Sequence, residues 1–88
     1  MTPDEAVGLI VSFIADPRMV KGCMLEPGAK QLVGEVIYAE GILNGLLEIP
    51  SLKLTIRGRS GKTMDIDQVD NHVRFHKTWE DAIKDAQL

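Results

Sequence analysis

Cysteine, aromatic residues and long apolar runs are all scarce in this sequence. Cys23 is the only cysteine, so no disulfide can close within the chain and a reducing compartment, the cytosol, is the expectation. The start, Met1-Thr2-Pro3-Asp4-Glu5, is acidic where secretory and organellar signals are basic. No uncharged stretch approaches the ~20 residues that a membrane-crossing helix needs. Aromatic residues make up 5% of the chain. Phe13, Phe75 and Trp79 fall at expected core positions, which leaves Tyr38 alone to stack on a nucleic-acid base. A net charge of -3 over 88 residues is too small for a surface that mimics nucleic acid. With 44% hydrophobic residues, it is also too small for intrinsic disorder.

What is present fits one small domain. A chain of this length buries roughly 60 to 65% of the surface it exposes unfolded, enough for one two-layer core and little room for a cleft. The charge is polarised: residues 1–50 carry seven acids and three bases, residues 51–88 six acids and seven bases. Lys53, Arg57, Arg59 and Lys62 come without an intervening acid, and Asp65, Asp67 and Asp70 follow them. Such adjacent blocks suit two strands that face each other across a hairpin.

The periodicity predicts the order α-α-β-β-β-α. Thr2, Pro3 and Glu5 form the start signal of a helix whose broad apolar face runs from Ala6 to Ile14. Asp16-Pro17 closes it and opens a short helical turn through Lys21. The oily residues of segment 19–25, Cys23 among them as an inert buried thiol, are expected to form a lid on the core. For residues 27–48 two readings compete. A helix gathers Leu32, Val33, Val36, Ile37, Ala39, Leu43, Leu46 and Leu47 on one side. A strand pair is favoured by the β-branched residues and by Asn44-Gly45, a type I′ hairpin signal. The helix is preferred because the hairpin would place Gly41 and Glu48 in buried rows.

After Pro50 the period becomes two. Leu52, Leu54 and Ile56 alternate with Lys53, Thr55 and Arg57, and Met64 and Ile66 alternate with Asp65 and Asp67. A loop at 59–61 sets Ile56 opposite Met64, Leu54 opposite Ile66 and Lys53 opposite Asp67. A third strand at 72–77 extends the meander, with Asp65 facing Arg74 and Asp67 facing His72, and is preferred to one long helix over 71–87. Thr78 then caps a last helix that carries Trp79, Ala82, Ile83 and Ala86 on one side. The result is an α+β domain with its helices packed on one face of a three-stranded antiparallel meander and the polar face in water.

The stretch Arg57-Gly58-Arg59-Ser60-Gly61-Lys62-Thr63 resembles a phosphate loop only superficially. The first glycine of that motif is replaced by Ile56, and a strand follows where a helix is required. As a basic hairpin tip, Lys53, Arg57, Arg59, Ser60 and Lys62 are candidates for binding an anion or nucleic acid. His72 and His76 are ~13 Å apart on a strand, too far to share a metal ion. Asp65-x-Asp67-x-x-Asp70 lacks the glycine and distal glutamate of a calcium loop. No nucleophile, base and orienting group converge, so neither catalytic residues nor a cofactor or metal is expected. On the helical reading, Gly34, Gly41 and Gly45 align beside Tyr38 and Ile42 and form a partner-binding face. The function expected is a small cytoplasmic, non-enzymatic protein-binding module. It would be an adaptor, inhibitor, assembly factor or small subunit that forms a homodimer, with nucleic-acid or phosphate binding at the hairpin tip as the alternative and no membrane role.

Overall fold

The computed structural model describes residues 1–14, 20–21, 24–25, 31–45 and 47–86, with the backbone pairing alone at 20–21 and 24–25. Two short helices, α1 (Pro3–Ala6) and α2 (Trp79–Ala86), flank a five-stranded antiparallel sheet of β1 (Ile10–Ile14), β4 (Gln31–Leu43), β5 (Pro50–Arg57), β6 (Thr63–Asp67) and β7 (Arg74–His76). Its order is β6-β5-β4-β1-β7. A separate two-stranded pair, β2 (Val20–Lys21) and β3 (Met24–Leu25), lies in the connection between β1 and β4. The helical turn expected through Lys21 is therefore a strand at its end. Cys23 and the side chains of the expected lid lie outside the described residues.

The sheet replaces two expected helices and corrects the α-α-β-β-β-α order. The capping box forms as expected: the Glu5 amide donates to Thr2 Oγ1 at 3.3 Å and the Thr2 amide to Glu5 Oε1 at 2.9 Å. The helix nevertheless ends at Ala6, because Gly8 takes a left-handed φ of 94° and donates its amide to the Val36 carbonyl. The β-branched Ile10, Val11 and Ile14 then favour an extended chain. All five residues of β1 are buried. A strand covered on both faces reads as a continuous apolar run, which periodicity cannot tell from a buried helix.

Residues 31–43 form the longest strand, and a bulge explains why they mimic a helix. Val36 faces Ile56 and Tyr38 faces Thr55, so Ile37 is an extra residue in β4. Leu32, Gly34 and Val36 point inward before it, and Ala39, Gly41 and Leu43 share the inward parity after it. The phase shift turns a period of two into spacings of two and three, close to the 3.6 of a helix. Gly41 does occupy an inward row, opposite Leu52, but near the exposed end of the strand, where no side chain is needed to fill the core.

The β5–β6 hairpin has the expected register: Ile56 faces Met64, Leu54 faces Ile66 and Lys53 faces Asp67. The third strand of the meander does not follow. β7 crosses to the far side of the sheet and pairs with β1, setting Arg74 opposite Ser12 and Phe75 opposite Val11. Arg74 and His72 thus do not meet Asp65 and Asp67. The α2 helix starts where expected, with the Asp81 amide donating to Thr78 Oγ1 at 3.1 Å.

The inner face holds the core: Val11, Phe13, Val36, Leu52, Leu54, Ile56 and Ile66 with Ala6 of α1. On the outer face α2 packs on β1, β4 and β7, burying Ala82 and Ala86. The helices therefore lie on opposite faces, contrary to expectation; α2 covers the outer side of β1, and Val11 and Phe13 on its inner side are buried in the core cluster. Gly34 sits where a Cβ would fall on Ile56 Cγ2 and 3.2 Å from the Arg57 carbonyl oxygen, whereas a Cβ on Gly41 would meet open space. Gly34→Ala should cost about 1 to 3 kcal/mol of unfolding free energy through overpacking, while Gly41→Ala stays within about 0.5 kcal/mol. Urea denaturation of both variants checks the contrast.

Candidate interaction surface

The β4–β5 connection projects beyond the core and exposes aliphatic side chains. Leu43 is 64% exposed, Leu47 54% and Ile49 42%. The loop that carries them is tightly hydrogen-bonded. The Asn44 amide donates to the Ile49 carbonyl at 2.8 Å, the Glu48 amide to the Asn44 carbonyl at 2.7 Å, and the Leu47 amide to Asn44 Oδ1 at 2.9 Å. Glu48 is held at a φ of 55°, a left-handed conformation costly for a residue with a Cβ.

A partly buried polar network anchors this loop. Asn44 Nδ2 donates to Asp67 Oδ1 at 3.2 Å and to Asp70 Oδ1 at 3.0 Å. The same Asp67 oxygen accepts from Ser51 Oγ at 3.1 Å and from the amides of Val69 and Asp70 at 2.8 and 3.0 Å. Asn71 continues the chain of contacts: its Oδ1 accepts from the Asp67 amide at 3.0 Å and its Nδ2 donates to the Ile14 carbonyl at 2.7 Å. Among the described residues no buried side-chain nitrogen or oxygen lacks a partner. A network completed in this way fixes one conformation, because each donor is costly to strand.

The expected helix face is taken apart by the strand. Tyr38 and Ile42 point outward, opposite Thr55 and Ser51, while Gly34 and Gly41 lie on inward rows and Gly45 sits in the loop. The glycines therefore form no aligned approach surface. Tyr38, exposed, and Ile42, half-buried, remain on the strand that leads to the apolar tip. Sequence reasoning missed Leu43, Leu47 and Ile49 as a surface because it counted Leu43 and Leu47 in a buried helical stripe. The available signal was Asn44-Gly45, a turn with apolar residues on both sides and Pro50 behind it.

The basic hairpin is partly engaged within the chain. Arg57 Nη2 lies 3.5 Å from Glu35 Oε1, and the Arg59 guanidinium stacks 5.0 Å from the centre of the Trp79 ring. Trp79 thus carries a cation on its face and is not a core residue. Ser60 and Lys62 line the rim of a cleft of about 370 Å³ whose floor includes Phe13, Leu32, Ile56 and Met64. Lys53 is exposed opposite Asp67.

A serine, a histidine and an aspartate also meet where α2 rests on the sheet. Ser12 Oγ donates to Asp85 Oδ2 at 2.6 Å, and His76 Nε2 lies 3.1 Å from Ser12 Oγ and 3.3 Å from the same carboxylate oxygen. The Ser12 hydroxyl donates to Asp85, and Ser12 is fully buried, so its oxygen is closed to a substrate. The group is a clasp for α2, completed by Arg74 Nε 2.8 Å from Asp85 Oδ2 and by Arg74 Nη2 donating to Gln31 Oε1 at 2.6 Å. Among the described residues no cluster of three or more His, Cys, Asp or Glu side chains is arranged to hold a metal ion, and no helix is long and apolar enough to cross a membrane.

No known protein family, curated protein or solved structure matches the chain.

Two stability measurements probe these networks. Asp67→Ala strands several donors at once and should lower the unfolding free energy by roughly 1.5 to 3 kcal/mol, read from urea midpoints. The Asp85 carboxyl is held below its ordinary range, first by the Ser12 hydroxyl and then by the Arg74 and His76 charges, against the opposing effect of burial. The folded state therefore takes up this proton less readily than the unfolded chain. The stability it contributes is present above the unfolded value of about 3.9 and is lost as pH falls through the lower folded value. Asp85→Asn should flatten that part of the stability profile below pH ~4 in acid titrations followed by circular dichroism.

Proposed function

We propose that the chain is a non-enzymatic protein–protein interaction module and that the β4–β5 tip is its docking surface. One observation carries this reading: a loop held by a partly buried hydrogen-bond network, with one residue in a strained conformation, presents Leu43, Leu47 and Ile49 to solvent. Single exposed aliphatic side chains are ordinary on protein surfaces, but three carried by one hydrogen-bonded connection offer a partner more apolar area than scattered ones do. The hydrogen bonds among Asn44, Leu47, Glu48 and Ile49 would lower the conformational entropy that docking costs. The partner that fits is a protein with an apolar groove. An adaptor, an inhibitor, an assembly factor and a small subunit in the cytoplasm all work in this way.

Binding of nucleic acid at residues 57–62 has less support. Arg57 and Arg59, the two residues best suited to grip phosphates, are directed to Glu35 and Trp79. Salt-sensitive oligonucleotide binding that drops in the Arg57→Ala, Arg59→Ala double variant would favour it over the protein reading.

Site-specific photo-crosslinking in the source cell tests the proposal. A benzophenone amino acid at position 47 should give a discrete protein adduct, and the same group at Glu80, on the exposed side of α2, should not. Adding Leu43→Ser and Ile49→Ser should abolish the adduct while leaving the chain folded by circular dichroism, since Leu43 is 64% and Ile49 42% exposed and each substitution costs no more than about 1 kcal/mol. No adduct at 47, or equal labelling from 80, would contradict the assignment.

A further inference from the structure

The outer edge of the sheet at β6 carries a second surface. The Gly58 amide donates to the Lys62 carbonyl at 2.9 Å and the Gln68 amide to the Leu52 carbonyl at 2.8 Å. These bonds bracket the β5–β6 ladder. By alternation, Met64 and Ile66 turn their backbone groups toward β5, while Thr63, Asp65 and Asp67 turn theirs away. The Asp67 amide and carbonyl are both taken up by Asn71. Among the described residues, what faces outward is the N–H and C=O of Thr63 and of Asp65, and β6 ends the sheet. On the inner face of this edge Met64 is 37% exposed, beside the apolar cleft over Phe13, Leu32 and Ile56.

We propose that a second copy of this chain occupies this edge, its β6 running antiparallel to the first about a two-fold axis at Met64. Two kinds of complementarity select the partner and the register. An axis at Met64 sets Thr63 of each copy opposite Asp65 of the other, so the four outward donors and acceptors per copy close reciprocally. The Thr63 hydroxyl then donates to a carboxylate across the strand. An axis at Asp65 would instead press two like charges directly together, which is destabilising. With the axis at Met64 the two Met64 side chains meet on the inner face and cover the mouths of both clefts. Within the sheet Asp65 Oδ1 already accepts from Thr55 Oγ1 at 2.8 Å, and a second copy supplies Thr63 by symmetry as a further donor to the same carboxylate. This contact uses residues apart from the β4–β5 tip and does not depend on the docking role assigned to that tip.

Sedimentation equilibrium over a range of concentrations tests the pairing. The chain should approach twice its 9.7 kDa mass as concentration rises. Thr63→Pro removes an outward N–H at the first position of an edge strand, where proline is tolerated. It and Met64→Lys should each return the chain to the monomer mass with an unchanged circular dichroism spectrum. In a Cys23→Ser background, Met64→Cys should form an intermolecular disulfide under mild oxidation, because facing residues of this kind lie ~4.5 Å apart at Cα, within disulfide range. Leu47→Cys in the same background should not. A wild-type chain that stays at 9.7 kDa at every concentration overturns the proposal, as does a dimer that survives Thr63→Pro and fails to crosslink at 64. A dimer dissolved instead by Leu43→Ser and Ile49→Ser would assign self-association to the tip and also refute it.

Discussion

The carboxylate of Asp67 ties the β4–β5 loop, the start of β5 and the turn after β6 to one point. It stands at the end of β6, where the chain must turn, and one of its oxygens accepts from Asn44 in the β4–β5 loop, from Ser51 at the start of β5 and from two amides of the following turn. The adjoining Asn71 side chain reaches the last residue of β1. These bonds hold the turn that redirects the chain from β6 toward β7, and β7 then pairs with β1 at the far side of the sheet. The same oxygen thus supports the topology at one end and the shape of the exposed loop at the other. Charge-assisted bonds within a partly buried cluster have this reach because every donor withdrawn from water needs an acceptor in place.

Covering both faces of β1 is the second constraint. Inward, Val11 and Phe13 join the sheet core; outward, Ile10 and Ile14 lie beneath α2, with the Ser12 hydroxyl the one polar group between them. A hydroxyl in that place must be satisfied, and Asp85 from α2 supplies the acceptor at 2.6 Å. The Ser12, His76 and Asp85 group looks like catalytic machinery in a list of residues. In space it fastens a helix, since Ser12 is fully buried and its hydroxyl donates to the carboxylate.

The legible and illegible parts of the chain differ in how many contacts lie outside the local sequence. The hairpin from Leu52 to Asp67 could be read to the residue because both strands are half-buried and its turn fixes the register. The starts of both helices were equally plain, in Thr2 with Glu5 and in Thr78. β1 was hidden because burial on two faces erases alternation, and β4 because the extra residue at Ile37 shifts the phase in mid-strand. β7 follows β6 in sequence and carries charges that match it, yet it pairs with a strand some sixty residues earlier, a choice no local pattern encodes. Of the candidate residues, Tyr38 and Ile42 kept an outward position, the three glycines lost their common face, and two arginines of the basic tip proved to have partners within the chain. The apolar tip emerged only when Leu43 and Leu47 were seen to leave the core.

The central claim is that the β4–β5 tip is ordered before anything binds it. Backbone ¹⁵N relaxation of the isolated protein measures this directly. If the Asn44 and Asp67 bonds hold the loop, the order parameters of Leu47, Glu48 and Ile49 should lie near the ~0.85 of the strands. Values below ~0.6 at these three residues, with the strands still rigid, would mean that the exposed side chains belong to a flexible loop and would contradict the account.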